Sequence, residues 1–187
     1  MRFSLGKGTY LLANPEGTDQ NFERTIVLLC DHNEKGTFGL ILNRTLNTTL
    51  SEALPEHPGT AGNPKKIFFG GPVEPGKLFS LHGGQKDASH PCDKICDGVY
   101  LVSTQDCLDN LLLNDTPDTP YRFYLGCACW AAGQLEGEIK MNCWTVGQAN
   151  ANMVFYENPD ILWWYILRSI SNYDPTSPSE PSTPVLN

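Results

Sequence analysis

The segment from Tyr121 to Trp144, YRFYLGCACWAAGQLEGEIKMNCW, concentrates the residues whose types and spacing could do chemistry. Cys127 and Cys129 flank one alanine, and we expect them at a turn that leads into a short helix. Backbone amides at a helix N-terminus lower the pKa of a thiol and make it reactive. One hypothesis is therefore a thiol-based redox or hydrolytic enzyme that uses Cys127 or Cys129 with His82 or His32. The alternative is that both cysteines are small apolar residues that fill space.

A zinc site would need more ligands from the same region. Structural zinc usually shows two close ligand pairs at spacings of two to four residues, and only Cys92 and Cys96 meet that spacing. The chain has 7 cysteines and no secretory signal, so reduced thiols are the expected state. We predict no metal site and no cofactor, although four thiolates could be supplied by Cys30, Cys127, Cys129 and Cys143.

Acid–base catalysis is the third chemical hypothesis. His32 and His82 could act with Asp31, Glu136 or Glu138 around a serine or cysteine nucleophile. However, the sequence has no G-x-S-x-G elbow, phosphate loop or dinucleotide fingerprint. A histidine that follows a buried strand is more often a hydrogen-bonded structural residue. The sequence therefore favours a protein that is not an enzyme.

The elements that must position these residues begin with three apolar runs. Thr9–Ala13 predicts a first strand. Thr25–Cys30 is a nearly continuous apolar run, which predicts a central strand that is buried on both faces. A polar loop, Asp31–Gly36, should connect it to an antiparallel partner, Thr37–Asn43.

Helices and turns fill the later part of the chain. Leu46–Leu54 predicts a short helix that Thr48 or Thr49 caps with Glu52 in its first turn. In Gly70-Gly71-Pro72 the glycines indicate positive φ or a close backbone approach. Hairpins mixed with a few helices predict an α+β fold with a mixed, largely antiparallel sheet.

The domain limits follow from composition. Residues 1–173 should form one domain, because a chain of 187 residues is long enough for one substantial core. Residues 174–187 are rich in Pro, Ser and Thr and should be a disordered tail. The apolar helix predicted at Ile161–Ile170 could either finish the core or form a dimer face.

Charge and hydropathy restrict the partners. The formal net charge is −8, which opposes the basic surface that direct nucleic-acid binding requires. No window approaches the length of a membrane helix, and the N-terminus lacks the pattern of a signal peptide. We therefore expect a cytoplasmic protein without a membrane partner.

Over roughly residues 8 to 168 the chain carries a set of blocks in order, namely FERTIVLLCDH from Phe22, GLILNR from Gly39, FGGPV from Phe69, Leu81-His82, Leu125-Gly126, WAAGQLE from Trp130, Asn142 and Trp144. Together these blocks resemble the YqgE/AlgH family of bacterial proteins. The resemblance implies an α+β fold in which a central mixed sheet, partly closed or bifurcated, is flanked by helices. The family is largely uncharacterised, and its AlgH members are described as regulators that promote transcription of alginate genes.

This chain departs from the family pattern at one place. The family usually reads Gly-Tyr-Ala-Gly-Trp where this chain reads Gly126-Cys127-Ala128-Cys129-Trp130. A side chain at Cys129 argues against a strict requirement for positive φ there.

The polar residues that match the family pattern lie at predicted strand ends and at a helix start. Such positions can converge into one polar pocket or protein-contact surface that binds an unknown protein or a small polar ligand. The alternative is that they tie loop backbone together. We predict a regulatory or binding protein, with an indirect role in transcription by resemblance, that uses Asn43, Arg44, Gly70, Gly71, Pro72, His82, Gly126, Trp130, Gly133, Gln134, Glu136, Asn142 and Trp144.

Overall fold

The computed structural model describes residues 5–16, 19–84, 92–102, 104–113 and 119–170. The predicted tail at 174–187 lies outside the described residues. The strands are β1 (Thr9–Ala13), β2 (Ile26–Asn33), β3 (Gly36–Ile41), β4 (Thr45–Thr49), β5 (Lys66–Phe69), β6 (Val73–His82), β7 (Asp93–Cys96), β8 (Val99–Val102), β9 (Tyr121–Ala131) and β10 (Trp144–Gln148). The helices are α1 (Leu50–Ala53), α2 (Gln105–Leu113), α3 (Gln134–Lys140), α4 (Ala151–Val154) and α5 (Pro159–Ile170).

The sheet is curled into a half-barrel and branches at β9. Its main path runs β10-β1-β2-β3-β9-β6-β8-β7, and these neighbours pair antiparallel. β5 pairs parallel with β9 and antiparallel with β4. The predicted α+β fold with a mixed, largely antiparallel and bifurcated sheet is confirmed.

The first hairpin forms where the apolar pattern predicts it, but its turn is tighter. The first five residues of β2 are buried between β1 and β3, which confirms a central strand. The predicted loop at Asp31–Gly36 is wrong, because β2 continues to Asn33 and β3 begins at Gly36. The Asn33 Oδ1 atom accepts a 2.8 Å hydrogen bond from the Lys35 amide across the turn. Polar residues thus continue the ladder at its solvent end.

The helix predicted at Leu46–Leu54 is also shorter than expected. Residues up to Thr49 belong to β4, and α1 covers only Leu50–Ala53. Thr49 and Glu52 form the capping box that the sequence predicts, each bonding the other's backbone amide. Since an N-cap residue is itself extended, the threonine-rich stretch before it extends the strand instead of the helix.

The largest correction concerns Gly126–Trp130, which is not a turn. These residues lie inside the 11-residue strand β9. Gly126 has φ +72°, and a Cβ atom on it would lie 2.3 Å from the Gly71 carbonyl oxygen. A Cβ on Gly71 would lie 2.2 Å from the Cys127 carbonyl carbon. The glycines therefore serve the close approach that was predicted for Gly70-Gly71-Pro72, with the strand itself as the neighbour.

Helix α5 closes one face of the half-barrel. Leu162, Trp163 and Ile166 pack into the largest buried cluster, together with residues of β1, β2 and β3. The Trp163 indole donates a 2.9 Å hydrogen bond to the Ala13 carbonyl oxygen of β1. The helix thus completes the core, which is one of the two roles that the sequence predicted for it. Within the described ranges, no helix is long and apolar enough to cross a membrane.

A candidate binding cleft around Glu138

The Glu138 carboxylate joins three side chains from two strands and one helix. Its Oε2 atom accepts hydrogen bonds from the indole nitrogens of Trp130 at 2.9 Å and Trp144 at 2.8 Å. Its Oε1 atom accepts one from the Gln134 amide at 2.9 Å. Gln134 and Glu138 are four residues apart on α3 and so share a helix face. Because the acceptor is ionised, these bonds are stronger than neutral ones and fix both indoles.

Phe22 packs its ring against both tryptophans. It lies in a 3-10 turn, Gln20–Phe22, and its ring stacks on Trp130 with a centroid distance of 5.8 Å. It meets Trp144 edge-on at 5.4 Å. The two indoles meet edge-to-face at 6.0 Å. We call these three rings the aromatic wall. Stacked and edge-to-face aromatic pairs add stabilisation beyond that of the surface area they bury.

Two residues of the predicted set hold the segment that carries Phe22. Asn43 accepts from the Ile26 amide and donates to the Arg24 carbonyl oxygen, both at 2.8 Å. Arg44 donates to the carbonyl oxygens of Asn21 at 2.6 Å and Glu23 at 3.0 Å. Burial lowers the pKa of the Arg44 guanidinium, and the charges of Glu23 and Asp19 act in the opposite direction. Asn43 and Arg44 therefore hold the backbone that carries Phe22 in place.

A cavity of about 230 Å³ opens between this segment and the α3–β10 connection. A second cavity of about 570 Å³ shares Asn14, Met141 and Cys143 with it, and we call the two together the Glu138 cleft. Asn142 lines the second cavity with φ +59°, and its carbonyl oxygen accepts a hydrogen bond from Asn14. The first cavity is lined by Ala13, Asn14, Asp19, Phe22, Glu23, Glu138, Met141, Cys143 and Trp144.

A histidine–carboxylate pair lies at the start of the same helix. The His32 Nε2 atom is 3.6 Å from Glu136, and its Nδ1 atom is 2.7 Å from the Thr37 hydroxyl. Gly133 precedes the helix with φ +77°. The structure thus brings Trp130, Gln134, Glu136, Asn142 and Trp144 to the ends of one short helix.

Other predicted site residues lie elsewhere. The connection between β5 and β6 crosses β9 at Gly70, Gly71, Pro72 and Gly126. The Gly70 carbonyl oxygen accepts a hydrogen bond from the Ile41 amide, and the Gly70 amide donates one to Leu125. His82 pairs in register with Tyr121 at the start of β9 and stacks on Tyr100 at 5.3 Å. Its Nδ1 atom is 2.8 Å from the Gly83 carbonyl oxygen. The predicted set therefore divides between the cleft, a backbone crossing and a separate end of the sheet.

The two cysteines of the CxC sequence lie in a strand and not at a helix N-terminus, which corrects that expectation. Cys127 is buried, and burial, followed by its contact with Cys129, raises its pKa to about 12. Register places His32 opposite Thr37 and Trp130, in the row next to Cys129, so His32 and Cys129 point to opposite faces. The ring nitrogens of His32 lie beside Thr37 and Glu136, and the Nδ1 atom of His82 lies beside the Gly83 carbonyl oxygen.

Of the four thiols weighed as zinc ligands, Cys30 shares a buried cluster with Cys127, whereas Cys143 packs beside Trp130 and Trp144. Within the described ranges, no group of three or more His, Cys, Asp or Glu side chains is placed to hold a metal ion.

Sequence reasoning missed Phe22 and underused Glu138. Phe22 was named only as the first residue of a sequence block that carries the resemblance, and Glu138 only as a candidate acid. A usable signal for Glu138 was present, because a buried indole needs a hydrogen-bond acceptor. Glu138 lies four residues from Gln134, on the short helix between Trp130 and Trp144.

The fold and the cleft define a small α+β protein with a branched half-barrel sheet and an aromatic, carboxylate-lined groove. The chain belongs to the AlgH-like family, whose sequence profile matches residues 10–173. It is 33% identical over 184 residues to a UPF0301 protein of Cytophaga hutchinsonii, covering 98% of this chain and 100% of that relative. It is 38% identical over 163 residues to a UPF0301 protein of Myxococcus xanthus, covering 86% and 88% of the two chains.

Two solved structures share the fold. The solution structure of the AlgH protein from Pseudomonas aeruginosa has a TM-score of 0.71 and 27% identity, covering 90% of this chain and 92% of that one. The crystal structure of protein DIP2367 from Corynebacterium diphtheriae has a TM-score of 0.77 and 24% identity, with 90% and 89% coverage.

Proposed function

We propose that this protein is a non-enzymatic regulatory or binding protein that contacts a protein partner or a small polar ligand through the Glu138 cleft. The observation that carries the proposal is the fixed aromatic wall beside an open cavity. Phe22, Trp130 and Trp144 are held before any ligand arrives, so binding would cost little ordering entropy. Preformed, partly apolar clefts with a few placed polar groups are the usual form of small-ligand sites.

The charge of the lining favours a ligand that donates hydrogen bonds or carries positive charge. Asp19, Glu23 and Glu138 supply carboxylates, and the lining residues that the structure describes include no lysine or arginine. Aromatic faces beside carboxylates attract ammonium and guanidinium groups. A basic side chain of a partner protein or a small amine would fit this chemistry.

A role in transcription, where the family resemblance implies one, would run through a protein contact. A net charge of −8 disfavours direct approach to nucleic-acid phosphates. An acidic cleft is better suited to the basic surface of another protein.

The test uses the indole N–H signals in a ¹H–¹⁵N NMR titration. L-arginine and L-citrulline are matched probes, since citrulline keeps the shape of arginine without its charge. We expect arginine, or an arginine-containing peptide, to shift the Trp130 and Trp144 signals more than citrulline does. Trp163 is the internal reference. Its indole is buried and bonded to the carbonyl oxygen of Ala13 at the edge of the cleft, so its signal should move less than those of Trp130 and Trp144.

Phe22→Ala should weaken the response at least several-fold while the fold is retained, because Phe22 is on the cleft wall and not in the fully buried core. Shifts spread evenly over all indoles, or equal effects of arginine and citrulline, would contradict the proposed cleft chemistry.

A further inference from the structure

A cavity of about 180 Å³ lies between α2 and the strands β6, β8 and β9. Ser80 of β6 pairs in register with Val102 of β8 and with Phe123 of β9. Residues directly opposite each other on neighbouring antiparallel strands project to the same face of a sheet. All three residues line the cavity, and Leu108 of α2 lines it from the other side. The side chain of Ser80 therefore belongs to the face of the sheet that the cavity covers.

Helix α2 is anchored away from this cavity. The His57 Nε2 atom is 3.0 Å from the Asp109 Oδ1 atom. The 3-10 turn Pro58–Thr60 approaches the end of the helix closely, because a Cβ atom on Gly59 would lie 2.8 Å from the Leu112 carbonyl oxygen. Both contacts hold the second half of α2. The cavity lies instead beside Leu108 and beside Thr104, which directly precedes the helix.

The Ser80 hydroxyl is a polar group without a hydrogen-bond partner. The residue is 3% exposed, and in the part of the chain that the structure describes its Oγ atom makes no hydrogen bond. A buried hydroxyl that is left unpaired destabilises a fold, so an orphan of this kind needs a reason. Its two cross-strand neighbours are apolar, and an apolar residue would fit the same row. A ligand that hydrogen-bonds to Ser80 would supply the missing partner.

The size of the cavity restricts that ligand. A single water molecule needs only about 10–15 Å³, whereas a cavity of about 150 Å³ lined by apolar side chains holds benzene. About 180 Å³ therefore suits one six-membered ring with one small substituent. The lining residues that the structure describes include no acid, lysine, arginine or histidine, which favours an uncharged molecule.

Burial varies across the cavity in the way an entry route requires. Ser80 and Phe123 are buried, Val102 and Leu108 are half-buried, and Thr104 is exposed. The polar group therefore lies at the closed end, and apolar walls lead to it from solvent. A hydroxyl can donate or accept a hydrogen bond, so either kind of polar substituent on the ring can pair with it.

We propose that this cavity is a second ligand site, separate from the Glu138 cleft, that binds a small uncharged aromatic molecule of the phenol class. The ring packs against Val102, Leu108 and Phe123, and its polar substituent bonds to the Ser80 hydroxyl. The two sites share no lining residue. Binding is non-covalent and changes no protonation state.

The test is a ¹H–¹⁵N NMR titration of the full chain with phenol, toluene and benzoate. Phenol and toluene have nearly the same shape, and only phenol carries a hydroxyl. Both should shift the backbone amide signals of Ser80, Val102 and Phe123 through the ring current of the bound molecule. Benzoate should shift them far less, because its charge has no partner among the described lining residues.

The decisive variant is Ser80→Ala, which removes an unpaired hydroxyl and should fold. We expect the ratio of phenol affinity to toluene affinity to fall at least several-fold, while toluene still binds. Thr9→Val is the matched control, since the Thr9 hydroxyl is also buried and unpaired but lies on β1, away from this cavity. It should leave the ratio unchanged. Val102→Phe should fill the cavity and weaken both probes more than tenfold.

Two results would overturn the proposal. One is an affinity ratio that Ser80→Ala leaves unchanged, which would show that the hydroxyl does not recognise the substituent. The other is the absence of shifts at the Ser80, Val102 and Phe123 amides below the phenol concentration that unfolds the chain. Neither result bears on the Glu138 cleft, whose response to arginine is read from the Trp130 and Trp144 indole signals.

Discussion

The two faces of β9 differ in how strongly their polar groups are hydrogen-bonded. On one face, Trp130 donates to an ionised carboxylate that also accepts from Trp144 and Gln134. On the other face, the Cys127 thiol donates a long hydrogen bond to the Val73 carbonyl oxygen at 3.6 Å, and its sulfur lies 3.7 Å from that of Cys129. Charge-assisted bonds fix geometry, whereas thiols are weak donors and acceptors. One strand therefore carries a hydrogen-bonded aromatic wall on one side and weakly bonded thiols on the other.

The largest loss of stability should come from a substitution at the backbone crossing, because this crossing supports both faces of β9. Gly71→Ala places a Cβ against the Cys127 backbone at a φ of +149°. We expect a loss of more than about 3 kcal/mol in the free energy of unfolding, measured by urea denaturation. Gly76→Ala is the matched control, since nothing lies within 4 Å of its added Cβ. Equal stability of the two variants would show that the crossing does not fix β9.

Removing the carboxylate should affect only the aromatic face. Glu138→Ala leaves two indole donors without their acceptor and should cost about 2–3 kcal/mol. Glu138→Gln keeps one oxygen for the indoles and should cost less. In the NMR spectrum the Trp130 and Trp144 indole signals should move more than the signal of the buried Trp163 indole. If the Glu138→Ala variant were as stable as the parent, the carboxylate would not stabilise the two indoles as we expect.

The two thiols should respond unequally to the same substitution. Cys127→Ser introduces a hydroxyl into a buried site and should cost about 1 kcal/mol. Cys129→Ser changes an exposed atom and should stay within about 0.5 kcal/mol. Thermal denaturation of both variants measures the difference. Equal losses would mean that Cys129 is as enclosed as its neighbour.

The smallest effect is a dependence on alkaline pH. Burial raises the pKa of Cys127 from 9.0 to about 12, and it also raises that of Cys30. Below pH 9 these thiols are protonated in both the folded and the unfolded chain, so their contribution to stability is fully present. Between the two pKa values the unfolded chain loses protons first, and stability falls as the pH rises. The decline in melting temperature above pH 9 should be shallower in Cys127→Ser than in Cys129→Ser.

The sequence predicts the elements more readily than the contacts between them. The run Thr25–Cys30 identifies a buried central strand, and Thr49 with Glu52 identifies a helix cap, because both depend on local chemistry. The segment Gly126–Trp130 was expected to form a turn, but it lies inside a strand. The positive φ of Gly126 serves the close approach of Gly71, which is distant in sequence.

The candidate site shows the same limit. Trp130, Gln134 and Trp144 could be selected from the pattern of one segment. Phe22 could not, since only the sheet order brings its loop beside α3 and β10, and Arg44 holds that loop through backbone atoms that carry no residue signature. His82 was selected together with these residues, yet it lies at the other end of β9.

The position of β9 also has a consequence during synthesis on the ribosome. β3, β5 and β6 are translated before β9, and each uses it as a neighbour. Until residue 131 has emerged, those strands present open edges that can pair with other chains. The nascent protein therefore remains exposed to misassembly for most of its translation, and a holding chaperone would have its greatest benefit before the last third of the chain appears.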